Sequence, residues 1–120
     1  MIMDIYREVL MDHATNPRNV GSLGNEAKVA EEFNPLCGDR VRVFVNISDG
    51  KIEQVKYDPV GCAIAIGSAS IISEEFVEKN LDEVRNWSLD DLLKLLGTKL
   101  TSSRRQCAMV ALKAVKKAIE

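Results

Sequence analysis

Two β-patterned runs joined by Asp49-Gly50, followed by an abrupt change of period, restrict this chain's fold more than any other feature. Val41, Val43, Val45 and Ile47 put an apolar side chain on every second residue, as in a strand with one face on a core. Asp and Gly tolerate the positive φ of a tight primed turn, so Asp49-Gly50 predicts a hairpin between strands at residues 40–48 and 51–58. In the return strand Ile52 and Val55 are out of phase, which predicts a bulge. Pro59 and Gly61 are expected to end that strand, and residues 27–33 read as a further strand weakened by Glu31 and Glu32.

From Cys62 onward the period is helical. Residues 63–72 are small or apolar nearly all round and predict a central buried helix; residues 73–80 turn amphipathic, with Phe76 and Val77 inside. Ser88 before Leu89, Leu92, Leu93 and Leu96 predicts a short capped helix stopped by Gly97. A last helix is expected from Ser103, with Ala108, Ala111, Leu112, Val115 and Ile119 on one face and Lys113, Lys116 and Lys117 on the other. An opening helix over residues 5–13, capped by Asp4 with Ile5, Val9 and Leu10 as its apolar stripe, precedes the strands. Strands followed by helices define an α+β class: a small three-stranded antiparallel sheet packed against several helices in a single layer on one face.

A chain of 120 residues, 46% hydrophobic, supports one core, so residues 1–120 are expected to be one domain. Its net charge of -2 gives no bulk attraction to nucleic acid or anionic membrane. The longest apolar run is diluted by Gly67, Ser68 and Ser70, so no segment is predicted to span a bilayer. Asp4 and Glu8 come too early for a secretory signal, and a cytoplasmic location is expected. There Cys37, Cys62 and Cys107 are expected to be free thiols or metal ligands.

Each cysteine admits two readings. In Asn34-Pro35-Leu36-Cys37-Gly38-Asp39 a thiol and a carboxylate two residues apart form a plausible ligand pair, or the tip of an ordinary turn. Cys62 opens the apolar helix, where unpaired amides and the positive dipole end favour a thiolate; it also suits a core of small residues. Cys107 follows Arg104 and Arg105 near a helix start and is expected to be the most nucleophilic of the three. Ser103 and Gln106 fit a capping box, which outweighs a ligand role for Gln106. His13 is expected to make a dipole contact or a surface hydrogen bond rather than bind metal. Trp87 is expected to plug the surface of the short helices. Taken together, three sulfurs and Asp39 suit zinc or an iron-sulfur cluster, with the oxygen holding a cluster less firmly than a fourth thiolate would. Seven acidic and two basic residues lie between Glu74 and Asp91, and six basic with no acidic ones between Lys99 and Lys117. Such opposed patches could orient a protein partner.

Asp12-His13 with Asn16-Pro17-Arg18-Asn19-Val20-Gly21, Asn34-Pro35-Leu36-Cys37-Gly38-Asp39, Gly61-Cys62-Ala63-Ile64-Ala65-Ile66 and Arg105-Gln106-Cys107-Ala108 resemble, in order and spacing, the IscU/NifU-type iron-sulfur cluster assembly scaffold family. The resemblance implies a scaffold that takes persulfide sulfur from a cysteine desulfurase, binds iron, builds a [2Fe-2S] cluster and passes it to apo-proteins. It places the ligands at Cys37, Asp39, Cys62 and Cys107, with Cys107 as persulfide acceptor and zinc as an occupant of the cluster-free form. It implies no enzyme of its own, an electron-donating ferredoxin and a homodimer as further partners, with Tyr6 matching a tyrosine of the family's dimer contacts. Arg104 stands where many members have lysine.

Two departures stand out. Gln106 replaces the histidine that many members carry before the third cysteine, which raises the weight on Asp39. Gly97-Thr98-Lys99-Leu100-Thr101 replaces the proline-containing segment read by a dedicated heat-shock chaperone. The rival reading is a SufU-like zinc-dependent sulfurtransferase in which Cys37 shuttles persulfide. Members of that branch carry an insertion between the second and third cysteines, and the 45-residue gap here has none. A zinc-stabilised binding module without sulfur chemistry is a third reading.

Overall fold

The computed structural model describes residues 5–36, 38–97 and 99–120, with backbone only for Ile5 and Tyr6. The proposed Asp4 cap, Cys37, Thr98 and the Tyr6 side chain therefore lie outside the described residues. The elements run α1 (Ile5–Thr15), β1 (Lys28–Asn34), β2 (Asp39–Ser48), β3 (Lys51–Val60), α2 (Ala63–Glu75), α3 (Leu81–Arg85), α4 (Leu89–Leu96) and α5 (Ser102–Ala118). The strands form an antiparallel sheet in the order β1-β2-β3.

Alternation in β2 buries Val41, Val43 and Val45 and leaves Arg40 and Arg42 exposed. The hairpin turn forms as expected, with positive φ at both Asp49 and Gly50. The bulge is also present: Asn46 faces Gln54 while Ile47 faces Ile52, leaving Glu53 as the extra residue. That one insertion turns both Ile52 and Val55 into the core. β3 continues through Pro59 to Val60 rather than ending before it, because an edge strand tolerates a missing N–H. Its free edge is covered at two places. Lys51 bridges Asn80 near the hairpin, and Tyr57 bridges Val20, exchanging backbone bonds with Asn19 and Gly21, which blunts a pairing-competent edge.

α2 packs on β3, α5 on β1 and β2, and α1 on α2. Gly67 permits the last contact, since a Cβ there would lie 2.6 Å from the Leu10 carbonyl oxygen. Phe76 is buried as expected, whereas Val9 and Val77 are exposed, Val77 because the helix has already ended at Glu75. Ser88 caps α4 in a capping box with Asp91, and Gly97 closes it in the left-handed region. Trp87 sits partly buried, edge-on to Phe76 at 4.9 Å between ring centroids. The five-residue α3 has no counterpart among the helices expected from the sequence.

His13 differs from its expected surface position. Only 8% exposed, it bonds through Nδ1 to Ser70 Oγ of α2 at 2.7 Å. Ser70 Oγ also accepts from the Arg18 backbone N–H, and His13 Nε2 lies 3.7 Å from Glu74. The Asp12 to Gly21 segment is thus a clasp joining α1, α2 and β3. Burial, then the Arg18 charge, hold the imidazole below its ordinary value of 6.5, against Glu74 and Asp12. A folded-state value below the unfolded one gives stability that is complete above 6.5 and is lost as pH falls through it. The melting temperature is expected to drop between about pH 7 and pH 5 in the wild type, and His13→Gln to flatten that dependence. Parallel pH curves for the two proteins would remove His13 as the cause.

Candidate metal centre

The site lies where three chain segments converge at one end of the sheet. Between β1 and β2 the Asn34 carbonyl accepts from the Gly38 N–H at 2.8 Å and Asn34 Oδ1 from the Leu36 N–H at 3.2 Å. Asp39 then opens β2 directly opposite Asn34. Both side chains point to the inner face, and Asp39 is fully buried.

On the other side, β3 reaches Val60 opposite Arg40, so Gly61 comes alongside Asp39. The approach is too close for any side chain: a Cβ at residue 61 would sit 2.4 Å from Asp39 Oδ1 and 3.1 Å from its Cα. Gly61 also has φ +155, which L side chains rarely adopt. The chain then enters α2 with Cys62 as N-cap, and the Cys62 N–H donates to Asp39 Oδ1 at 3.0 Å. The Cys62 sulfur makes no capping bond. It stands at the N-terminal end of the helix, on the side of Asp39.

Cys107 arrives from α5. Its sulfur, that of Cys62 and a carboxylate oxygen of Asp39 all lie within 4.8 Å of one another. Asp39 Oδ2 is buried and finds no hydrogen-bond partner among the described residues, and a buried carboxylate oxygen without one calls for a cation. Two soft sulfurs and a hard oxygen at this spacing fit zinc or the iron of a cluster.

Of the four ligands expected from the sequence, Asp39, Cys62 and Cys107 are thus brought together, while Cys37 lies outside the described residues. Two local expectations are corrected. Thr101, not Ser103, caps α5, accepting from the Arg104 N–H, so Ser103 lies within the helix and Gln106 is an exposed helical residue outside any capping box. Starting at Ser102, the helix places Cys107 in its second turn, 1% exposed, rather than at an exposed start beside Arg104 and Arg105. Both arginines are exposed, and Arg105 Nε donates to the Leu100 carbonyl. Asn34 and Gly61 carry contacts that sequence reading did not assign. Asn34 Nδ2 lies 3.9 Å from the Cys107 sulfur; an asparagine before a proline signalled a turn but not that contact.

The fold is that of a small α+β domain carrying an Asp/Cys/Cys donor set that could hold a metal ion, and the comparison with known proteins narrows the class. Residues 5–120 match the NifU-like N terminal domain family, and the chain belongs to it. Over 115 residues it is 32% identical to the iron-sulfur cluster assembly scaffold protein IscU 1 of Archaeoglobus fulgidus, covering 96% of this chain and 74% of that protein. It is 31% identical over 132 residues to the zinc-dependent sulfurtransferase SufU of Bacillus subtilis, covering 96% and 89%. The crystal structure of a NifU-like N-terminal domain from Brucella abortus superposes with a TM-score of 0.81 at 21% identity, covering 96% of this chain and 92% of that one, and establishes likeness of fold. No helix among the described residues is long and apolar enough to cross a membrane.

Proposed function

We propose that this protein is a scaffold for iron-sulfur cluster assembly, with Cys37, Asp39, Cys62 and Cys107 as ligands. The observation that carries the reading is the convergence of Asp39, Cys62 and Cys107 donor atoms within 4.8 Å. The cluster is cargo: three thiolates hold it and the carboxylate oxygen is the labile position. Cys107 accepts sulfur from a desulfurase persulfide. Its thiolate attacks the terminal sulfur, the S–S bond breaks, the donor cysteine leaves as thiolate, and the terminal proton stays with the transferred sulfur. Each such sulfur needs two further electrons to become sulfide, the task of an electron donor such as a ferredoxin. Because Cys107 is buried, its sulfur must become accessible for this transfer.

The zinc-dependent sulfurtransferase is the second reading, favoured by the similarity to SufU. That alignment needs 132 positions, against 115 with the archaeal scaffold, for the same share of this chain. Anaerobic reconstitution with iron, cysteine and a desulfurase is expected to give the visible absorption of a [2Fe-2S] cluster in the wild type and none in Cys62→Ser or Cys107→Ser. Tight zinc binding with no cluster, together with persulfide on a cysteine after desulfurase treatment, would instead select the sulfurtransferase.

A further inference from the structure

We propose that Asn34 is a positioning residue for the Cys107 sulfur, supplying an N–H···S hydrogen bond that orients this ligand and withdraws electron density from it. The inference rests on the thiolate-site reading above and adds a residue to it. Three observations carry it. Asn34 Oδ1 is engaged by the Leu36 N–H at 3.2 Å, which fixes the orientation of the amide and leaves Nδ2 as the group facing Cys107. Asn34 is only 7% exposed, so its side chain is largely withdrawn from bulk water. In the sheet Asn34 is paired with Asp39, so the two inward side chains of one row bracket the site, one as a donor to sulfur and one as an acceptor from the Cys62 amide.

The 3.9 Å separation is that of a loose contact. A bound cation fixes the thiolate and draws its outer partners into line. Partners of this kind are worth about 10–100-fold in metal affinity. Asn34 does something further here. The same side chain braces the turn on either side of position 37 through Leu36, and its backbone carbonyl holds Gly38. Turn and Cys107 sulfur therefore share one anchor.

Two variants separate bracing from donation. Asn34→Asp keeps an oxygen for the Leu36 N–H and removes the donor to sulfur; Asn34→Leu removes both. Each is loaded with cobalt(II), read by its sulfur-to-cobalt charge-transfer absorption, and zinc affinity is measured by chelator competition, with thermal melts to certify folding. Both variants are expected to bind zinc about 10–100-fold more weakly than wild type, with the charge-transfer band moved to lower energy. If Asn34→Asp matches wild type in affinity and spectrum, or binds more tightly, the donor role is overturned, whether or not Asn34→Leu folds. If wild-type protein itself gives no sulfur charge-transfer band, the thiolate site fails and the inference with it, an outcome distinct from a wild-type band that the variants leave unmoved.

Discussion

Gly61→Ala is expected to lower metal affinity by about 100-fold, the upper end of what residues supporting a metal site command, while leaving a folded protein. The added methyl would meet Asp39 Oδ1 at 2.4 Å and the Asp39 Cα at 3.1 Å. The second contact decides the size of the effect. A flexible side chain can step aside, but a backbone atom at the start of β2 moves only with the strand. Either Asp39 rotates away, breaking its bond from the Cys62 N–H and withdrawing Oδ2 from the two sulfurs, or β3 and β2 separate at their last rung. Both widen the 4.8 Å donor cluster. Overpacking and backbone strain of this kind cost about 1–3 kcal/mol, so the melting temperature falls by several degrees without loss of fold. Gly24→Ala is the control, since a Cβ there meets nothing within 4 Å. Zinc competition and thermal melts on both variants test the expectation. A Gly61→Ala protein that binds zinc within twofold of wild type would show that the close approach does not hold the site.

The parts of the fold that were legible in the sequence are those set by neighbours along the chain. Asp49-Gly50 carries its turn geometry in the residues themselves, and the out-of-phase Ile52 and Val55 reveal the bulge, because burial of both requires one extra residue. The start of α5 was misplaced because Thr101, Ser102 and Ser103 can all cap a helix, and only the folded chain chooses among them. The misplacement concealed a signal that was present. Cys107, Ala111 and Ala114 lie at i, i+4 and i+7, on the buried stripe of α5, so the thiol belongs with the core face and not with its arginine neighbours. Contacts between distant segments could not be read at all. Nothing near Gly61 indicates Asp39, and nothing near Asn34 indicates Cys107; sheet register and helix docking create both meetings. Recognition of the motif could name ligands ahead of the geometry that joins them, but it could not say that one sulfur would be buried and another partly open to solvent.

That asymmetry bears on release, where Asp39→Ala is expected to slow loss of a reconstituted cluster on the order of tenfold, the scale at which groups around a metal site act. Three thiolates already make the loaded site anionic, and a fully buried carboxylate adds another negative charge where little water reaches. Its oxygen is the hardest and least firmly held donor of the set, so it is the position at which an incoming acceptor thiol displaces the scaffold. Removing it lowers the charge to be buried and closes that route. Asp39→Asn separates the two contributions, because an amide oxygen still accepts the Cys62 N–H while the charge is gone. Slow release in both variants assigns the effect to charge; slow release in alanine alone assigns it to the lost ligand position. In the metal-free protein the same reasoning predicts a higher melting temperature for Asp39→Asn, since the wild type buries a carboxylate oxygen with no partner among the described residues. Transfer rates to an apo-ferredoxin that match wild type for both variants would remove Asp39 from the release step and leave its buried charge as a feature of binding alone.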